Sequence, residues 1–382
     1  MTHDLPPPPA NINQLLEGMV ERKASDLYLT FDCSPAFRLQ EGISPLSSAP
    51  LNEADITRYM DQILTPDQLD EFHSTSELNA AINFSDASRF RINVFRQQSH
   101  NGIVIRRIET SIPDLEPLGL PQIYGDLSLL KRGLILVSGQ TGSGKTTSHA
   151  AMVGYRNRHG NGHIITVEDP IEFVHHHNGC IITQRDVGID TYSYALALKN
   201  ALRQRPDLVV IGEVRDREVM EQALYFAETG HLCIATIHAG NASQTIERVM
   251  NFFHEDRHHQ VLMNLSVNLQ AVLSQRLVHT LQGTRTLALE IMLNRGLIRQ
   301  QIEQGKIKQL REMIEKGASD GMHTFDQHLF DMLQKRIISA ETAIAEADSQ
   351  PNMRMLIQNR KANEGGIAVT LRSEQRHAGE SF

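Results

Sequence analysis

GLILVSGQTGSGKTTSHAAMV, Gly133 to Val153, decides how this chain is read. An apolar run of strand length leads into a glycine-rich loop, and the loop leads into a segment of helical character. Gly139 to Thr146 fits G-x-x-x-x-G-K-[ST], a spacing that carries chemistry only between a strand and a helix, which is its setting here. Glycines let the backbone curl until its N–H groups face phosphate oxygens, and the helix N-terminus adds positive potential. The expected cradle is Gly139, Gln140, Thr141, Gly142, Ser143, Gly144, Lys145, Thr146 and Thr147. Lys145 would reach the β- and γ-phosphates, and the Thr146 hydroxyl would ligate Mg²⁺. ATP with Mg²⁺ is the predicted ligand; a chance glycine turn ahead of a helix is the competing account.

Downstream of the loop, short apolar strands alternate with helical patterns, as in a parallel sheet with crossover helices. Strands are expected at LILVSG, HIITVED, LVVIGEV and LCIATIH, and helices at Thr146–Arg158, Tyr194–Gln204, Glu218–Ala227 and Gln244–Phe253. Past Asp256 only LALEIML reads as a strand, and helices are expected to about Asp348. Upstream, Ile12, Leu15, Leu16, Met19 and Val20 recur at helical spacing, SDLYLTF alternates as a half-buried strand does, and Asn52–Phe72 reads as helical. Phe37–Leu39, FRINVFRQ and GIVIRRI read as further strands. The domain reading is a Pro-rich tether over 1–10, a small α+β domain over 11–112, a linker over 113–122, an α/β domain over 123–348, and a disordered polar tail over 349–382.

Composition narrows the function. The 382 residues exceed one ordinary core, which favours two domains. A formal net charge of -8 gives no general polybasic surface, so no direct binding to nucleic acid or anionic lipid is expected. The three cysteines, Cys33, Cys180 and Cys233, form no CxxC pair, and Cys180 and Cys233 sit among apolar residues as core thiols do. No secretory signal or membrane-spanning run is seen, so a cytoplasmic setting is expected, with any membrane role through partners. His175–His177 and His258–His259 lack regular metal spacing and read as solvated turns.

Three further stretches carry candidate chemistry. ITVEDPIEF ends a strand with Glu168, which would deprotonate an attacking water; a solvated acidic turn is the alternative, and spacing does not separate Glu168 from Glu172. LVVIGEVRD ends a buried-type strand, but the usual aspartate position is Gly212, so Glu213 would serve, reaching Mg²⁺ through water. TGHLCIATIHA holds His231 and His238 at opposite ends of one strand. Such histidines are more often core or rim residues, yet the His238 end should lie near the γ-phosphate.

Together and in this order, these stretches resemble the type II/IV secretion-superfamily ATPases, specifically the PilT/PilU family of type IV pilus twitching-motility and retraction ATPases. GQTGSGKTT resembles the family's Walker A, ITVEDPIEF its Asp box, RPDLVVIGEVRD its atypical Walker B and TGHLCIATIHA its His box. The resemblance implies a PAS-like amino-terminal domain, a RecA-like ATPase domain with carboxy-terminal helices, and a homohexamer peripheral to the inner membrane at the pilus base. It assigns water polarisation to Glu168 and phosphate-facing charge to Arg91, Arg106 and, ahead of the Walker B strand, Arg203. It implies an inner-membrane platform protein and a PilT paralogue as partners. One departure is LIRQQIEQ, Leu297–Gln304, where the family's retraction motif has arginine at the position of Glu303. This leans toward the PilU branch and an accessory retraction role. A catalytically weak regulatory ring subunit and a secretion or DNA-uptake translocase are the alternatives.

Overall fold

The computed structural model describes residues 7–359, apart from 40, 48, 86–87 and 109–110. Its fold is mixed α/β with two sheets, and it divides into two compact units. The first runs through Ile112 and takes in Val167–His176 and Gln184–Ala197; the second comprises Pro113–Thr166, His177–Thr183 and the chain from Leu198 onward. This differs from the sequence-contiguous domains expected, because the segments after two strand ends cluster with amino-terminal residues.

In the first unit, α1 (Ile12–Glu21) precedes β1 (Asp26–Thr30), β2 (Ala36–Leu39) and β3 (Gly42–Pro45). Then come α2 (Glu53–Ile63), α3 (Pro66–Thr75), β4 (Glu77–Ser85), β5 (Ser88–Gln97) and β6 (His100–Ile108). The strands form one sheet in the order β3-β2-β1-β6-β5-β4. Period-two burial of Phe90, Ile92 and Val94 in β5 and of Ile103 and Ile105 in β6 turns one face into the core with Leu16, Met19, Tyr59 and Phe72. The single helix expected over Asn52–Phe72 is two. Thr65 caps a new helix with Pro66 at its first position and Gln68 completing a capping box; the proline holds Thr65 extended, and Leu64, which ends the preceding helix, is extended as well. β4 was not legible as a strand. Ahead of α1, Arg58 Nε and Gln62 Nε2 of α2 donate to the Ala10 carbonyl at 3.2 and 3.1 Å, so this end of the expected tether is bound to the unit.

Residues 113–122, read as a linker, belong to the second unit: Leu115 and Leu120 are buried and Asp114 pairs with Arg158. There follow α4 (Ile123–Ser128), β7 (Gly133–Ser138), α5 (Lys145–His159), β8 (Gly162–Glu168), β9 (Cys180–Asp186), α6 (Tyr194–Ala201), β10 (Leu208–Ile211), α7 (Arg217–Glu228), β11 (Leu232–Ile237) and α8 (Ala242–Asn251). The chain continues through α9 (His258–Asn268), β12 (Leu269–His279), β13 (Arg285–Leu293), α10 (Gly296–Glu303), α11 (Leu310–Lys316), α12 (Phe325–Gln334) and α13 (Ala340–Glu346). Strand order is β13-β12-β7-β11-β10-β8-β9. β7, β10 and β11 are buried along their whole length, and β12 and β10 flank the β7–β11 pair in parallel register. The carboxyl ends of these four strands therefore share one edge.

Two strands of this sheet were not expected. β9 was missed, and β12 lies where helices were anticipated, with α9 passing directly into it at Leu269. The expected tail also needs correction. Residues 350–359 are helical, and Met353 and Ile357 are buried against Phe325, Leu329 and Val278. Polar composition hid two anchoring side chains that one helical turn brings to a single face. Residues 360–382 of that tail lie outside the described residues.

Candidate nucleotide site

At the end of β7 the loop is shaped by contacts that leave no room for side chains. A Cβ on Gly139 would stand 2.3 Å from Ser143 Oγ and 2.6 Å from the Gln275 carbonyl. Gly144, at φ 85°, caps α5 in the left-handed region, where a side chain would be strained. β12 holds the loop from beside it: Gln275 Nε2 donates to the Ser143 carbonyl at 2.9 Å, and the Ser138 and Ser274 hydroxyls meet at 2.7 Å.

Lys145 is the first residue of α5. Its ammonium donates to the Gly139 and Gln140 carbonyls at 2.8 and 2.9 Å, which folds the charge into the mouth of the loop. Burial holds its pKa below the usual lysine value, and the nearby Glu213 carboxylate opposes that shift. One turn along, the fully buried His149 is pushed down to about 4 by burial and is a neutral packing group.

Glu213 follows β10. The Val214 N–H donates to the Thr236 carbonyl at 2.8 Å, and the Thr236 hydroxyl donates to the Gly212 carbonyl, so the chain leaving β10 is stitched to β11. That stitch sets Glu213 against His238, whose Nε2 lies 2.7 Å from Glu213 Oε1. Arg215 Nε donates to the other oxygen at 2.7 Å. Both carboxylate oxygens thus have a protein donor, which suits contact with a cation through water better than direct ligation.

His231 is placed apart from this group. It precedes β11, whose partner β7 runs parallel in register from Leu232↔Gly133 to Ile237↔Ser138, so His231 lies at the edge opposite the loop. There its Nδ1 meets the Thr229 hydroxyl at 3.1 Å. Arg203 lies exposed in a short turn of helix before β10.

In the first unit, β5 and β6 place Arg91 and Arg106 directly opposite each other, and β1 places Asp26 opposite Arg106. Arg106 Nε donates to Asp26 Oδ1 at 2.8 Å while its side chain stays 57% exposed, so part of the guanidinium remains open to solvent. That carboxylate offsets the repulsion between two arginines facing across strands. Arg89 and Arg91 act on the carboxyl of Asp186, whose pKa is raised by burial and lowered in part by a backbone N–H and these two charges. Glu168 closes β8 with 8% exposure, and Gln184 Nε2 approaches its Oε1 at 3.4 Å. Glu172 acts on Arg106.

Sequence reading missed a second set of loop neighbours in the second unit. A cavity of about 470 Å³ is lined by Gln140–Ser143 on one side and by Arg276, Leu277, His279, Arg285 and Ala345–Ala347 on the other. The Ser-Gln-Arg run at 274–276 was the available signal, but it lay in a segment read as helix.

A glycine loop wedged against a strand, with a buried lysine at a helix start and an acid–histidine pair on the adjoining strand ends, defines a P-loop nucleotide-binding protein. The type II/IV secretion system protein family matches residues 3–328. The chain belongs to that family and, within it, to the PilT/PilU branch. It is 46% identical over 345 residues to the type IV pilus ATPase PilU of Pseudomonas aeruginosa, covering 90% of each chain. It is 37% identical to the type IV pilus retraction ATPase PilT of that organism, over 90% of this chain and 99% of the relative. The crystal structure of the pilus retraction motor PilT with bound ADP superposes with a TM-score of 0.83 at 35% identity, over 90% of this chain and 98% of that one.

Proposed function

We propose that this chain is an ATP hydrolase of the type IV pilus machine, working as a homohexamer at the cytoplasmic side of the inner membrane to drive pilus retraction. The observation that carries the reading is the buried Lys145 in a wedged loop beside the Glu213–His238 pair. Support for the pilus setting comes from the two relatives and the similar motor structure. Among the described residues no helix is long and apolar enough to cross a membrane, so attachment would run through an inner-membrane platform protein.

The loop N–H groups and Lys145 bind the phosphates of ATP, and Glu168 takes a proton from the attacking water. The Thr146 hydroxyl, and Glu213 through water, would hold Mg²⁺, which when bound would supply charge neutralisation to the phosphates. Arg91, Arg106 and Arg203 add positive charge toward the γ-phosphate in the assembled ring. His238, tethered to Glu213, registers the loss of the γ-phosphate and passes it to the chain leaving β11.

An accessory role beside a PilT paralogue is the finer reading. Ile298 and Ile302 of α10 are buried whereas Arg299 and Glu303 are exposed, so the departure at Glu303 alters the surface charge of this helix and leaves its core contacts intact. Steady-state ATP hydrolysis by the purified chain, with Lys145→Ala alongside and the oligomeric mass recorded, tests the proposal. Lys145-dependent turnover by a hexamer is expected. A hexamer that binds ATP without turnover until the paralogue is added would establish the accessory form, and a chain that binds no ATP would overturn both.

A further inference from the structure

We propose that the nucleoside end of the bound nucleotide is read on the β12–β13 side of the loop, with His279 and Arg285 as the residues that determine base and ribose recognition. The inference rests on the ATPase reading above and specifies the other end of the same ligand. Sheet order fixes the direction. β11 and β10, which bring His238 and Glu213 to the γ-phosphate end, lie on one side of β7, and β12 and β13 lie on the other. A nucleotide whose β-phosphate sits in the loop must then run its α-phosphate and sugar over β12.

The structure has a cavity there, and its wall suits a nucleoside. Pairing sets His279 opposite Arg285 at the end of the β12–β13 ladder, on the same edge as the loop. Both are exposed, and they line a space of about 470 Å³ together with Leu277 and the small residues Ala345 and Ala347. A planar imidazole and a planar guanidinium beside an aliphatic floor can stack on a purine and hydrogen-bond its edge.

Arg276 has a different part. Its guanidinium lies 4.0 Å from the Phe325 ring centroid, pairs with Asp348, and donates to the carbonyls of Glu346 and, at 3.2 Å, Gly240. It is a positioning residue that pins segment 345–348 as the far wall. Through Gly240 the same side chain also touches the chain two residues beyond His238. Asn241 reinforces this link, donating to Asp348 at 3.0 Å.

Three basic groups near a phosphate loop would also suit phosphate, so the test must separate the two ends of the ligand. Binding of Mg²⁺–ADP and of inorganic tripolyphosphate is measured by calorimetry on the full chain and on His279→Ala, Arg285→Ala and the double variant. Loss of a cation–ring contact corresponds to about a tenfold weakening. The expected result is a loss of about that size for ADP with tripolyphosphate unchanged. Equal losses for both ligands would assign the residues to phosphate and overturn the proposal, as would no loss for either. If the unaltered chain bound neither ligand, the ATPase reading itself would fall. Arg276→Lys keeps the charge and removes the planar fork; it should reproduce the ADP-selective loss, and wild-type ADP binding in that variant would remove Arg276 from the wall.

Discussion

On one flank of β7, chemistry sits at strand ends: Glu213 and His238 meet at 2.7 Å just beyond β10 and β11. On the other flank it sits within the strand, where Gln275 reaches to the Ser143 carbonyl at 2.9 Å and Arg276 gathers Gly240, Glu346 and Asp348. In the proposed mechanism the first arrangement places an acid and a histidine where charge would develop during hydrolysis. The second fixes shape, holding the loop and a wall against it. A P-loop thus has a reactive flank and a holding flank, and substitutions should separate them: the reactive flank should change turnover, the holding flank binding and stability.

The largest expected effect is on the reactive flank. β8 neighbours β10 in the sheet and ends in Glu168. Glu168→Gln should lower kcat about 100- to 10,000-fold while ATP binding is retained, the loss typical of removing a positioned general base. Single-turnover hydrolysis together with nucleotide titration measures both quantities, and full turnover in the variant would transfer the role elsewhere, Glu172 being the other glutamate of the same stretch.

Next in size is Gly139→Ala, which strikes the seam between the flanks. The added Cβ would meet the Gln275 carbonyl at 2.6 Å, and a backbone atom of a buried strand has little freedom to retreat. A loss of about 1–3 kcal/mol in unfolding free energy is expected, with weakened ADP binding. An unchanged denaturation midpoint with normal binding would show that the loop is not braced by β12.

The reactive flank was legible in the sequence and the holding flank was not, for a physical reason. GQTGSGKTT and the strand-end acids are local: glycines, a lysine and carboxylates at fixed offsets declare their geometry without tertiary context. LQAVLSQRLVH is a strand covered on both faces, and Leu269, Val272, Leu273 and Leu277 fall at helical spacing by coincidence, continuing Val261 and Leu265 of α9. No glycine or proline marks the passage from α9 into β12, where Asn268 is the one local signal, so periodicity carried the helix too far. Arg276 could not then be placed, because its partners Gly240, Glu346 and Asp348 are distant in sequence. Similarly, His231 and His238 read alike as strand-end histidines, and only the parallel register of β11 with β7 separates the one beside the loop from the one on the far edge.

A smaller effect tests whether the reactive pair acts as a unit. In a double-mutant cycle with Glu213→Gln and His238→Ala, read in kcat/KM, a coupling of about 1 kcal/mol is expected for a hydrogen-bonded, half-exposed pair. Additive losses would mean that His238 works independently of Glu213, and its proposed part in registering the γ-phosphate would need another partner.

The last test lies where the two flanks are joined. Glu290 of β13 is buried and accepts the Ala242 N–H at 2.7 Å, at the start of the helix that follows the His238 loop. Burial pushes its pKa up to about 7, Asp348 adds to the rise, and the backbone N–H groups of Ala242 and Phe325 and the charge of Arg276 oppose it. A carboxyl whose folded pKa exceeds its unfolded value of 4.5 contributes stability below pH 4.5, and that contribution is lost as pH rises through about 7. The buried histidines His149 and His328, each pushed down to about 4, act in the opposite sense, so absolute stability mixes the two. The difference between Glu290→Gln and the unaltered chain isolates the carboxyl, since glutamine mimics its neutral form. In urea titrations from about pH 5 to pH 8, the variant's relative stability should rise with pH. A flat difference would mean that two helix N-termini and Arg276 keep Glu290 charged throughout, and the join between β13 and the His238 loop would then be an ionic one that salt weakens.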